Sequence, residues 1–566
     1  MRLLLASFTL LFGVGLLCFA AGPPPKPLRA DDQLDYLFLG SDRPVLIRLH
    51  IRVGDRPYHA AWDDFMDKLF AWFDENGDGS LSKDEVSRIP TPHHLAASIN
   101  GGIDQTREVV KIEALDANKD GKVSKEEFIA YYKSNFVGPE SYTIQSYRTA
   151  IAEQINRSVF ARLDANKGGK LTASKVAGMY RKLRASDVDE DEVFTEEELL
   201  PADGERISRG FMLSPLKEKT PIRLLVKPDL PRDVPSPAYR DSNWPRLLLE
   251  TYDRNKDGKL SRAEIGLPLA RFEALDGEHK GFLGEAEMRK YLDGEPDIVL
   301  RIQMRPGVTK PAAPPVEMAN EKALPRSLRK AVRRPGPRAL SFDLGDARLS
   351  VQTLDAEAKY DMKKGFLEQF DQAVGKRESL PLADADPTGL VFMFRHADRN
   401  GDGKLTRREL SEYMDILRRG THAGLTVRMH DLGKGIFTVL DADGDGRLTL
   451  REMKDAWSRL KPFDKDGRGV APADLPRTLR LTLELGSNPW FGGGMRETPP
   501  PLAPRTATKA PVWFRKMDRN NDGDVSRKEW LGTDADFEAI DADGDGLISV
   551  AEAIAFEAKK RKKDQP

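Results

Sequence analysis

Asp74-Glu-Asn76-Gly-Asp78-Gly79-Ser80-Leu81-Ser-Lys-Asp-Glu85 is the stretch on which the reading of this 566-residue chain turns. Its first, third and fifth positions (Asp74, Asn76, Asp78) carry side-chain oxygens that can surround one centre. Position 7, Ser80, adds a backbone carbonyl, and position 12, Glu85, is long enough to bind through both carboxylate oxygens. The glycine at position 6 has no Cβ and allows a sharp turn at φ > 0. Such a loop is an oxygen cage suited to a hard divalent cation. The same five ligand positions recur as Asp116, Asn118, Asp120, Lys122 and Glu127, and as Asp253, Asn255, Asp257, Lys259 and Glu264. They recur again as Asp398, Asn400, Asp402, Lys404 and Glu409, and as Asp441, Asp443, Asp445, Arg447 and Glu452. The last two sets are Asp518, Asn520, Asp522, Asp524 and Glu529, and Asp541, Asp543, Asp545, Leu547 and Glu552. Position 8 is Leu, Val or Ile in every copy, as expected if paired loops join through a short β-bridge.

Four further loops are degraded copies. Asp164-Ala-Asn166-Lys-Gly168-Gly169 lacks an acid at position 5 and carries Lys175 at position 12. Asp276-Gly-Glu278-His-Lys280-Gly281 closes on Glu287 but has a cation at position 5. Asp464-Lys-Asp466-Gly-Arg468-Gly469 has Arg468 there and Leu475 at its end. These three are expected to be empty, because a resident cation repels a metal ion. Asp187-Val-Asp189-Glu-Asp191 keeps its acids and Glu198, but Glu192 replaces the turn glycine, which leaves this loop undecided. Loop starts at 164/187, 253/276, 441/464 and 518/541 are each 23 residues apart. That spacing predicts compact local pairs, usually a competent loop beside a failed one, with both halves of 518/541 intact.

The loops resemble those of the calmodulin-type EF-hand superfamily around 61–200, 241–290, 385–475 and 511–556. The resemblance implies helix-loop-helix modules that coordinate calcium, about seven ions, through the residues named above. On an exported chain it points to a secreted bacterial-type multi-EF-hand repeat protein. The 23-residue pairs also resemble dockerin modules, but dockerin loops usually close on Asp and all seven competent loops here close on Glu.

Apolar faces mark the helices entering the loops, with Phe272, Phe437 and Phe537 each four residues before a loop and expected in the core. Outgoing helices start in the acidic loop end, as in Glu126-Glu127-Phe128-Ile129-Ala130-Tyr131-Tyr132. Between them lie alternating segments that predict strands: 45–53, with Arg48, His50 and Arg52 on the opposite face, then 222–226, 298–304, 425–429 and 479–485. A hairpin is expected over 340–351, turning at Gly345-Asp346. Isolated strands are unstable in water, so shared sheets with inserted hands are expected. The fold class is α+β, mainly α, with EF-hand modules and interspersed strands in one or more small sheets. The expected segments are a signal peptide at 1–21, a strand-containing segment at 30–60 and an EF-hand module at 61–200. A strand or linker at 201–240, an EF-hand pair at 241–292 and strands with a Pro/Arg-rich linker at 293–360 follow. Then come a module at 361–475, a strand or linker at 476–510, and a pair with a basic tail at 511–566.

Arg2, the apolar run Leu3–Leu17 and small residues Ala20-Ala21-Gly22 have the layout of a secretory signal peptide. Cys18 is the single cysteine, and Leu17 before it disfavours lipidation. The mature chain would then lack cysteine, which excludes disulfides, thiol catalysis and cysteine-bound zinc. The expected location is secreted, periplasmic or otherwise extracytoplasmic, with no membrane span once the signal is removed. Formal charge is -1, or roughly -2 without Arg2, and seven calcium ions would take it to roughly +12. Anionic polysaccharide, a cell surface or a protein partner is therefore expected beside calcium, and no nucleic acid. The basic run Lys559–Lys563 reads as a solvated helix end suited to the macrodipole.

No His-Glu-x-x-His or Gly-x-Ser-x-Gly is present, and the Gly492–Gly494 run lacks the Lys-Ser/Thr of a phosphate loop. His93-His94 is expected on a surface loop. The function expected is a calcium-stabilised structural or adhesive scaffold without enzymatic activity. The alternatives are a calcium sensor that exposes an apolar groove, and an enzyme with accessory hands.

Overall fold

A computed structural model describes residues 32–563, apart from 202–222, 228–243, 305–313, 355–361, 487–509 and scattered single or paired positions, chiefly around 100–107. The signal segment 1–21, residues 305–313 of the Pro/Arg-rich stretch at 305–338, residues 496–509 and the Gly492–Gly494 run lie outside the described residues.

Twelve strands form two six-stranded sheets, apart from the short two-stranded bridges between loops. In chain order they are β1 (Gln33–Leu39), β2 (Pro44–Val53), β3 (Arg56–Pro57), β4 (Glu140–Gln145), β5 (Arg223–Lys227), β6 (Ile298–Met304) and β7 (Val316–Met318). The rest are β8 (Val332–Gly336), β9 (Ala339–Leu344), β10 (Ala347–Leu354), β11 (Leu425–Lys434) and β12 (Arg477–Leu485). The first sheet runs β7-β6-β2-β1-β5, with β3 on β2, and the second runs β8-β9-β10-β12-β11-β4. Each closes long loops of chain through parallel pairs, β6 on β2 in one and β12 on β10 and β4 on β11 in the other. The hairpin turns at Gly345-Asp346 with Leu344 opposite Ala347, and Gly345 takes φ 71°. β1, β4, β7 and β8 went unread in the sequence because they are short or mix polar residues into the alternation.

One apolar core joins the sheets face to face, with Tyr36, Phe38, Ile47, Leu49 and Ile51 from the first against Phe342, Val351, Val427, Leu481 and Leu483 from the second. The alternation is the cause: Leu37, Leu39 and Leu46 point the other way and pack under the hand pair at 253/276. On that outer face Asp32 is wholly buried, accepting from Arg52 at 3.1 Å and lying 2.6 Å from His50 Nδ1. The outer face of the second sheet is polar and buried, with Gln352, Thr426, His430 and Thr482, and the helix Arg148–Leu163 packs against β11.

The hands form three further cores. These do not follow the expected modules at 61–200 and 361–475, because each of those segments supplies half of two cores. One core joins 62–137 to 366–423, and another joins 155–199 to 436–475. In the first, Gly420 on the helix Arg407–Ala423 lies so close to Ala60–Phe73 that a Cβ there would stand 2.7 Å from Phe65. The pair at 518/541 has a small core of its own around Phe514 and Phe537. Among the described residues no helix is long and apolar enough to cross a membrane.

Candidate metal centres

Each loop grows out of the helix before it. Where a phenylalanine stands four residues ahead of the loop it is buried, and its carbonyl accepts the first Asp N–H, as in Asp441 N–H to Phe437 at 2.8 Å and Asp541 N–H to Phe537 at 2.8 Å. The first carboxylate then folds the loop around itself. Asp74 accepts from the amides of Asp78 at 3.1 Å and Gly79 at 3.0 Å. The closing glutamate has two tasks. Glu127 Oε2 accepts the Ser124 N–H at 2.9 Å and completes a capping box at the start of the outgoing helix, while Oε1 accepts from Ala117 at 3.0 Å. The same box holds Glu85, Glu198, Glu264, Glu409 and Glu452. The ligand at position 12 is thereby fixed by the helix that it caps.

In three loops the acids already converge: ligand oxygens of Asp187, Asp189 and Glu198, of Asp441, Asp443 and Glu452, and of Asp541, Asp543 and Glu552 lie within 4.8 Å of one another. The last two have Asp at positions 1, 3 and 5; the Asn-containing loops have one acid fewer. The undecided loop at 187 thus has the same convergence. Glu192 takes φ 68°, the left-handed conformation that a turn glycine would take, at a cost of roughly 1–2 kcal/mol.

The electrostatics divide the sites. At the open loop Glu127 is held below the usual carboxylate range by the backbone N–H and hydroxyl of Ser124. In the buried loops the acids repel one another. Burial and then Glu452 push Asp441 well above the usual value, and burial and Asp443 push Asp445 up to about 7. Burial and Asp524 carry Asp522 to about 7, and burial and Glu529 carry Asp518 to about 6. Asp398 Oδ1 is buried with no hydrogen-bond partner. An all-oxygen donor set, uncompensated negative charge and an orphaned carboxylate oxygen fit Ca²⁺, which takes six to eight oxygens, and do not suit softer metals.

The degraded loops carry their own cations. Lys175 Nζ lies 2.5 Å from Asp164 Oδ1 and 2.8 Å from the carbonyl of Lys170, the position-1 and position-7 groups that an ion would use. Lys280 Nζ stands 2.7 Å from Glu278. The loop at 464 is one residue short. Asp474, not Leu475, takes the closing place, accepting the Ala471 N–H at 2.8 Å.

The bridges correct the expected pairing. Loops 74/116, 253/276 and 518/541 do pair, through Leu81 with Val123, Leu260 with Leu283 and Val525 with Ile548. The 23-residue units at 164/187 and 441/464, however, pair across to each other. Leu171 bridges Val470, and Phe194 bridges Leu448. The failed loops 164 and 464 therefore sit together, and loops 187 and 441 sit together. Cross-pairing matches charge, with Lys170 Nζ 2.7 Å from Asp466 and Arg447 3.6 Å from Asp191. It is reinforced by Asn156, which donates to Lys434 O at 2.6 Å and accepts from Ile436 N at 2.8 Å.

Loop 398 has a partner that the sequence reading missed. The helix Met362–Val374, the strand Ser379–Pro381 and a turn ending at Asp384 form a vestigial hand whose Leu380 bridges Leu405. Arg377 pairs with Asp384 inside it. It has no Asp-x-Asn signature, and only Phe366 and Phe370 ahead of Leu380 hint at it. Among the described residues the hands thus number twelve, in six bridged pairs. His94 is also corrected: it lies in the helix Pro92–Ile99, buried, its ring 4.4 Å from that of His396.

Comparison with known proteins agrees with this geometry. The EF-hand domain pair family matches residues 63–133 and 388–458. The EF hand family matches 246–267, 512–531 and 535–552. The match at 388–458 spans two hands, at 398 and 441, that the fold sends to different cores on either side of β11. No curated protein and no solved structure matches the chain.

Proposed function

As the chain belongs to the EF-hand calcium-binding superfamily, we propose that it is a secreted scaffold, structural or adhesive, stiffened by eight calcium ions. The eight loops begin at Asp74, Asp116, Asp187, Asp253, Asp398, Asp441, Asp518 and Asp541. The observation that carries the reading is the assembly of hands from segments about 300 residues apart around one two-sheet core. Ions in such loops neutralise acids that repel one another and so hold distant parts of the chain together. Outside the cell, affinities of about 10⁻⁴–10⁻³ M keep such sites filled, which suits constant support better than switching. Export is tested by recovering the expressed protein from outside the cytoplasm without residues 1–21; a cytoplasmic chain that keeps them contradicts it. Stiffening is tested by protease digestion, which should spare the calcium-loaded protein and cut the chelated one.

A sensor reading draws on one observation. Val512 and Leu531 are 59% and 80% exposed on the C-terminal pair, near Trp513 and Trp530. Apolar dye binding that rises with calcium would favour it; binding unchanged by calcium favours the scaffold.

A further inference from the structure

We propose that the C-terminal hand pair is a calcium-operated clasp, docked through its own metal loops onto the loops at 187 and 441. The contact is made mostly of loop positions, joined by Arg451 and Lys454 of the helix Leu450–Lys454, the latter donating to the carbonyl of Asp545. Asn520, position 3 of its loop, donates to the carbonyl of Asp191 at 2.8 Å, and Arg447 donates to the carbonyl of Asn520 at 2.8 Å. Arg451 forks onto Asp524 at 2.7 and 2.8 Å and reaches Asp545, position 5 of the last loop, at 3.0 Å. Ser526 donates to Glu192, the residue in the place of the turn glycine, and Lys528 donates to the carbonyl of Glu190. Leu547, whose carbonyl is the position-7 ligand of its loop, is 1% exposed and inserts into the core that serves the hands at 187 and 441. It is the one residue of the C-terminal pair in that core among the described residues.

Four loops dense in carboxylates therefore face one another across two arginines. Without ions their acids repel across the contact, and the loop backbones that present Asn520, Asp191 and Leu547 lose the support that fixes their shape. With ions the repulsion is cancelled and those groups are held in docking geometry. Because linkage is reciprocal, docking must tighten calcium at these loops by the same factor by which calcium favours docking. The replacement of glycine by Glu192 also gains a role, since its side chain reaches the neighbouring pair.

The clasp rests on the proposed loading of these four loops. Its test uses the full chain with Cys18→Ser and spin labels at Glu153→Cys, exposed on the helix Arg148–Leu163, and Glu538→Cys, exposed on the C-terminal pair. Calcium should give one narrow distance distribution and EGTA a broad one. Arg447→Gln with Arg451→Gln should broaden it in calcium and weaken calcium binding about fivefold or more at the coupled loops. Asp524→Asn, which removes the Arg451 partner without touching a side-chain ligand, should act in the same direction. A distribution equally narrow in EGTA, or variants that dock and bind like the parent, would overturn the clasp. Calcium titration of the same samples separates the failures: full uptake without a distance change sinks the clasp alone, and no uptake at these loops sinks both readings.

Discussion

The ammonium of Lys175 stands 2.5 Å from Asp164 Oδ1, in the place where a calcium ion would sit. The loop at 164 is shut by its own side chain, and it pairs with the loop at 464, which also lacks a closing glutamate. We therefore expect Lys175→Met to lower the melting temperature equally in calcium and in EGTA. A Glu85→Gln change should lower it in calcium only. Differential scanning calorimetry in both buffers checks the contrast.

Single substitutions at the closing position should report the competent loops one by one. Glu85→Gln, Glu127→Gln, Glu198→Gln and Glu264→Gln are each expected to remove about one bound ion. Glu287→Gln should remove none, since Lys280 already stands 2.7 Å from Glu278 in that loop. Calorimetric stoichiometry measures the difference.

Gly420 tests the assembly of hands from distant segments. In an exposed helix Gly→Ala stabilises by about 0.5–1 kcal/mol. Here an added methyl meets Phe65 and Ile99 at 2.7 and 2.8 Å. Gly420→Ala should therefore destabilise, by about 1–3 kcal/mol, in chemical denaturation.

His430 gives a pH dependence away from the metal loops. Burial, then the nearby Arg480 and Arg428, pull its pKa down to about 3, against about 6.5 unfolded. A lowered histidine is neutral in the folded state, so the unfolded chain takes up the proton first. Stability is full above pH 6.5 and falls as the pH drops toward 3, by about 2 kcal/mol at pH 5. His430→Phe should flatten that part of the profile relative to the parent.

The twelve-residue spacing made the acid-lined loops legible, because ligand chemistry demands particular side chains at fixed positions. Alternation made β2, β6 and β12 legible for a similar reason: one face of each had to be apolar. Pairing was not legible. The 23-residue spacing is the same at 253/276, which pairs locally, and at 441/464, which does not. A bridge needs only two antiparallel edges, and the choice between them is made by contacts such as Lys170 with Asp466 that lie some 300 residues apart. The hand ending at Asp384 was invisible because packing keeps a hand's shape after its ligands are gone. Lys175 reads as a defect in the sequence, whereas the folded loop brings its ammonium onto Asp164 inside the cage.

Eight loops open to an ion and four closed to one fix the stoichiometry of the full chain, and bound calcium is counted on it. Equilibrium dialysis with elemental analysis, at calcium well above the millimolar range, should give close to eight ions per chain. A count near two, or one near twelve, would contradict the account.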